Sequence, residues 1–143
     1  MAQLPGIGNR ESSPASTAEE QTMGRFKPET VARVDEFAHR MVDVAEEIAR
    51  AGRSERVVNQ VIGCGTSAGA NLAEADEAMS RKDFCKALGD VVKELNESLF
   101  WLRLIGKRAW IPDSRLADLQ SEASQLKKIF GAMISRTRRR TTP

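Results

Sequence analysis

From Val31 onward the chain repeats one pattern four times, apolar residues three and four positions apart with polar residues between them. Such spacing lays a single apolar stripe along an α-helix, whereas a strand would alternate every second residue. Val31, Val34, Ala38, Met41, Ala45 and Ile48 form the first stripe, behind Pro28, and Gly52 marks its end. Ser54 is a suitable N-cap for a second segment, which opens on Val57, Val58, Val61 and Ile62 and runs through a glycine-rich stretch to about Ala78. Ser80 and Asp83 have the spacing of a capping box, with Asp in the Glu position. Behind them Phe84, Leu88, Val91, Leu95, Leu102 and Ile105 predict a third helix about 40 Å long. Val92, Leu99, Phe100, Trp101 and Leu104 widen its apolar surface, as expected of a helix that is central or covered by another subunit. Gly106 and Trp110-Ile111-Pro112 end it, and Asp113 is placed to cap a fourth helix with Leu116, Leu119, Ala123, Leu126, Phe130 and Met133 on one face.

Four amphipathic helices with short connections and no strand pattern predict an all-α fold, an antiparallel up-down-up-down four-helix bundle, because a short loop forces neighbours to run antiparallel. Residues 1–27 lack a sustained apolar period and read as a flexible leader. The expected division is leader 1–27, bundle 28–136 and basic tail 137–143.

Composition changes this picture only in charge. The 143 residues fit one domain, and no apolar run reaches the roughly 20 residues needed to span a bilayer. With neither a signal-peptide nor a transit-peptide pattern at the start, the expected location is cytoplasmic, away from any membrane. The formal net charge is +2, yet Lys127, Lys128, Arg136, Arg138, Arg139 and Arg140 close the chain without an acidic residue among them. The remainder therefore carries 16 basic against 20 acidic residues, a mildly acidic body with a basic end.

Little else resembles chemistry. Gly63-Cys64-Gly65-Thr66-Ser67-Ala68 has the G-x-G-x-x-A spacing of a dinucleotide-binding turn, and Asp83 stands where a ribose-binding acid would. That turn needs a strand before it and a second strand after it, and neither is predicted. The stretch reads instead as a low-bulk helix face, Gly63, Ala70 and Ala73 with Cys64, Ser67 and Ala68, that lets a neighbouring helix approach closely. Glu36 and His39 have the Glu-x-x-His spacing of di-iron bundles, but His39 is the sole histidine and lies off the apolar stripe. Cys64 and Cys85 lack metal-ligand spacing and read as reduced, buried thiols, so neither metal nor cofactor is expected. Ser67 and Cys64 have no imidazole on their own helix to activate them, which argues against nucleophilic catalysis and an enzyme.

One resemblance stands out. Gly65-Thr66-Ser67-Ala68-Gly69-Ala70-Asn71, Glu74, Ser80-Arg81-Lys82-Asp83-Phe84, Leu88-Gly89 and Glu94-Leu95-Asn96-Glu97-Ser98-Leu99-Phe100-Trp101-Leu102-Arg103-Leu104-Ile105 resemble the bacterial four-helix-bundle proteins known as the 23S ribosomal RNA intervening-sequence family. The likeness covers about residues 30–140. It implies an antiparallel four-helix bundle assembled as a ring-shaped homopentamer, without assigned catalytic activity, and a role with RNA or DNA. It also gives Asn71, Glu94 and Glu97 a meaning: Thr66, Ser67 or Asn71 would hydrogen-bond a carboxylate of the third helix, since buried polar groups need partners. The alternative is that both glutamates face solvent.

Phosphate contact is therefore expected from Arg136, Arg138, Arg139 and Arg140, from Lys127 and Lys128 one to three turns back, and from Arg103, Lys107 and Arg108 if the bundle brings them near. In a ring, several such ends would multiply a weak contact. Two alternatives compete with a nucleic-acid-binding oligomer: a protein-interaction scaffold without nucleic acid, and basic residues that only complement the dipole of the last helix.

Overall fold

The computed structural model describes residues 26–141, and within them every regular element is an α-helix. Helix α1 spans Pro28–Arg50, α2 Glu55–Asp76, α3 Arg81–Lys107 and α4 Asp113–Thr141, a four-helix bundle with short connections. All but the last two residues of the expected leader's 27 lie outside the described residues, as do Thr142 and Pro143.

The stripes read from sequence form the core. Val34, Met41, Ala45 and Ile48 of α1 are buried, as are Phe84, Leu88, Val91, Leu95, Leu102 and Ile105 of α3 and Leu116, Leu119, Ala123, Leu126 and Phe130 of α4. One correction falls on α1, where fully buried Phe37 takes the place expected of Ala38. Ala38 is half-buried and lines a surface groove.

A second correction concerns where the core begins. Phe26 lies inside the expected leader, yet it is buried, stacked on Phe84 with centroids 5.9 Å apart and edge-on to Phe130 at 6.1 Å. An aromatic trio therefore closes this end of the bundle, where α1 starts, α3 starts and α4 approaches its end. Tail residues 137–141 continue α4 rather than forming a separate segment.

Helix ends follow local chemistry. Ser80 Oγ accepts the Asp83 N–H at 3.0 Å, the predicted cap of α3. Ser54 occupies the N-cap of α2 without a side-chain capping bond. At the end of α1, Gly52 (φ 72°) donates its N–H to Ala49 O and the Arg53 N–H reaches Ile48 O, each at 3.0 Å, a Schellman closure. The end of α3 repeats the closure with Ala109 in the left-handed role (φ 57°), its N–H on Gly106 O and that of Trp110 on Ile105 O. Helix α3 thus ends at Lys107, between Gly106 and the Trp110-Ile111-Pro112 break as expected, whereas Asp113 is the first residue of α4 rather than its cap. Gly106 serves a close approach: a Cβ there would overlap the Asp113 carboxylate.

Start meets end between α3 and α4: Gly106 abuts Asp113 at one end, and Arg81 Nη1 donates to Arg140 O at 3.2 Å at the other. Helices α1 and α4 are joined by two ion pairs. Arg33 donates through both Nε (3.0 Å) and Nη2 to the Glu122 carboxylate. Arg115 forks onto Glu47 at 2.8 and 2.6 Å.

Candidate nucleic-acid interface

The last turns of α4 bring their arginines beside the first turns of α3. Arg138 lines an open groove of about 560 Å³ together with Arg81, Lys82, Cys85 and Lys86, and no acidic residue lines it, although Lys86 also borders a neighbouring groove with Glu74, Glu77, Asp83 and Asp90. Arg136, Arg139 and Arg140 are exposed on the same stretch of α4. Arg81 bridges the two helices, its guanidinium donating to the Arg140 carbonyl, one of the helix-end acceptors without an intrahelical donor. Four cationic side chains around one concave, open space suit a ligand with several anionic oxygens, and arginine forks match phosphate geometry.

Sequence reading missed Arg81, Lys82 and Lys86 as members of this cluster, taking Arg81 and Lys82 only as parts of a helix start. A signal was present, since a short α3–α4 connection makes residues equidistant from the turn neighbours and so sets Arg138 to Arg140 against Arg81 and Lys82.

The remaining basic candidates do not join them. Arg103, Lys107 and Arg108 are exposed at the opposite end of α3, where Arg103 lies about 33 Å along the helix from Arg81. They flank a separate groove of about 430 Å³ with Phe100 and Leu104. Lys127, half-buried, and exposed Lys128 lie about 15 Å back along α4 from Arg138. The basic residues thus form an end cluster and a separate flank, not one surface.

The polar pairing expected across α2 and α3 is absent among the described residues. Thr66 is exposed and donates its hydroxyl to its own helix, at 2.7 Å to Ile62 O and 3.4 Å to Gly63 O. No hydrogen bond joins Ser67 or Asn71, both half-buried, to Glu94 or Glu97. The physical reason is that a carbonyl four residues back is always within reach of a helical Thr. Glu94 and Glu97 are half-buried rather than solvated, and burial, reinforced by neighbouring Glu97, pushes the Glu94 carboxyl above its ordinary range. Ser98 is fully buried and donates to Glu94 O at 2.9 Å. Cys64 is buried, and burial raises its thiol pKa above the ordinary value. Cys85, expected to be buried too, is half-buried at the basic groove.

The glycine-rich stretch is helix interior, as expected, but its contact face is rotated. Cys64, Gly65, Ala68, Leu72 and Ala75 are buried, whereas Gly63, Ala70 and Ala73 face outward. The close approach belongs to Gly65, where an added Cβ would lie 2.5 Å from Met41 Cβ. His39 and Glu36 are exposed, and the described residues contain no group of three or more His, Cys, Asp or Glu able to hold a metal ion. No helix among them is long and apolar enough to cross a membrane.

A sequence model described as 23S rRNA-intervening sequence protein matches residues 29–132, all four helices up to the last turns of α4. The chain belongs to the 23S rRNA-intervening sequence protein family. A solved relative is a protein of unknown function from the S23 ribosomal protein family of Bacteroides thetaiotaomicron VPI-5482. It is 28% identical, with a TM-score of 0.71 over 73% of this chain and 97% of that one. No curated protein matches. Arg81, Lys82 and Lys86 lie inside the family-matched region, whereas Arg136 to Arg140 lie beyond it. The end cluster therefore draws on residues inside the matched region and on residues beyond it.

Proposed function

We propose that the protein is a non-enzymatic, cytoplasmic homo-oligomer, a ring of up-down-up-down bundles, that binds RNA or DNA through the basic end of the α3–α4 pair. The observation that carries the reading is the groove in which Arg138 of α4 meets Arg81, Lys82 and Lys86 of α3 with no acidic lining residue. Up-down-up-down order agrees with the start-to-end contacts of α3 with α4 and with the crosslinks from α1 to α4. Assembly agrees with Phe100, which stands 48% exposed on an otherwise well-packed helix. The family description itself names 23S rRNA.

Such a site recognises backbone phosphates and shape rather than base sequence, since arginine and lysine on phosphate position a nucleic acid without reading it. In a ring each subunit would present one cluster, so contacts weak singly would add in avidity. Fluorescence anisotropy of structured RNA and duplex DNA over several salt concentrations tests the reading, comparing the full chain with one ending at Ser135. The expected result is binding that falls steeply with salt and is lost on truncation, each duplex phosphate contact adding about 0.9 to the log-log slope. Absence of binding at low salt with the oligomer intact overturns it and favours a protein-interaction scaffold.

A further inference from the structure

The other end of α3 carries a feature the basic cluster does not use. Phe100 and Leu104, one turn apart, stand on the outer surface of α3 beyond the core, and Trp101 meets the Phe100 ring edge-on at 4.9 Å. Exposed Arg103, Lys107 and Arg108 surround this apolar ridge. On a different side of the molecule, α1 and α2 leave an open groove of about 360 Å³ with Ala38, Val42, Gly69 and Ala70 along it and Asp35 at its border. Exposed Asp43 and Glu46 continue that border along α1.

Gly69 makes the groove informative. A glycine inside a helix weakens it relative to alanine, and natural helices keep one where close approach requires it. Gly65 has such a reason in Met41, whereas a Cβ added at Gly69 meets nothing within 4 Å, as at Gly63, Gly89 and Gly131, and of these four Gly69 is the one that lines the groove. No contact within the subunit uses the space above Gly69.

We propose that the Phe100–Leu104 ridge of one subunit seats in the α1–α2 groove of a second copy of this chain. The partner is the chain itself because the two surfaces are complementary in shape and charge: an aromatic ridge ringed by three cations faces a small-residue groove lined on α1 by Asp35, with Asp43 and Glu46 exposed one turn beyond His39 and Val42 on the same helix. Large aromatic groups seated in pockets anchor interfaces, while rim charges orient the partners. The heights are close as well. Phe100 lies about 24 Å along α3 from Phe84, and His39, which lines the groove, about 17 Å along α1 from Pro28, two residues after the Phe26 that stacks on Phe84. Side-by-side copies therefore engage with an axial shift of about one helical turn. Ridge and groove are different patches, so the contact is heterologous, the kind that closes a ring when its rotation allows. The proposal rests on the homo-oligomeric reading above and reassigns Arg103, Lys107 and Arg108 from nucleic acid to the subunit interface.

Phe100→Glu disables the ridge and Gly69→Arg fills the groove, each at a surface position, so both variants should retain the far-UV circular dichroism of the wild type. Leu104→Glu and Ala70→Arg provide a second pair should either variant unfold. Sedimentation velocity at matched concentration is expected to show the wild type as an oligomer, each variant alone at single-chain mass, and their equimolar mixture at the mass of two chains. The mixture is decisive because the two variants together retain one intact ridge and one intact groove, enough for one heterologous contact. A wild type at single-chain mass overturns this interface and the oligomeric reading together. Either folded variant keeping the wild-type mass, or a mixture remaining at single-chain mass, overturns this interface alone.

Discussion

Glu122 of α4 accepts both donors of the Arg33 fork from α1, one of two bidentate ion pairs between these helices. That hydrogen bonding holds the Glu122 carboxyl below its ordinary value of 4.5. A carboxylate with a depressed folded-state pKa binds protons more weakly than its unfolded form. Its contribution is therefore complete above the ordinary value and is lost as pH falls through the depressed one. Glu122→Gln should melt below wild type at pH 7, by a difference on the order of 0.5 kcal/mol for a pair this accessible. Thermal melts followed down in pH should show the two proteins converging, and a constant gap would mean that the ion pair is not its origin. At this scale the sequence was partly legible. Ser80 and Asp83 announced their cap because it depends on neighbours three residues apart. Phe26 was not legible, since a lone aromatic before a proline belongs to no periodic pattern and its partners, Phe84 and Phe130, are distant in sequence. The pairing expected of Thr66 and Asn71 depended on helix rotation, which decides whether a polar side chain faces its neighbour or its own backbone.

Helix α2 shows how rotation separates similar residues. Gly65 and Gly69 are one turn apart in the same stretch, yet Gly65 is pressed against Met41 and a Cβ at Gly69 would meet nothing within the subunit. Gly65→Ala should destabilise by about 1–3 kcal/mol, the range for an added methyl group forced into a packed contact. Gly69→Ala on the Phe100→Glu background, where no ridge fills the groove, should instead stabilise by up to about 1 kcal/mol through helix propensity. Urea unfolding midpoints of the two variants are expected to move in opposite directions, and equal shifts would mean that the α1–α2 crossing is not centred on Gly65. Apolar periodicity placed the four helices because burial of one face dictates it, but glycine contributes no apolar signal to fix its own side. For α3 the widened apolar surface was legible and its use was not, since Leu99 is buried and Phe100 exposed one residue later.

Across the whole molecule the two ends of α3 have separate assignments. One end, with the last turns of α4, forms the basic groove, and the other carries the Phe100 ridge. Charge along the sequence showed a basic terminus but not its location, because Lys127 through Arg140 spans several helical turns and its partners come from a different helix. Antiparallel register, rather than composition, supplies Arg81, Lys82 and Lys86 to the site. The candidate site was thus half legible: the α4 arginines followed from the sequence, whereas the α3 half and the separation of Arg103, Lys107 and Arg108 required the fold.

The measurement that tests the central claim most directly is the salt dependence of duplex DNA and structured RNA binding by wild type and by Lys82→Glu/Lys86→Glu, which leaves α4 and its arginines intact. Shared participation in one groove predicts that the double variant binds more weakly to every sequence tried and loses about 1.8 from the log-log salt slope on duplex DNA, about 0.9 for each contact removed. An unchanged affinity and slope, with the variant folded and its assembly unaltered, would contradict a nucleic-acid site built jointly from α3 and α4.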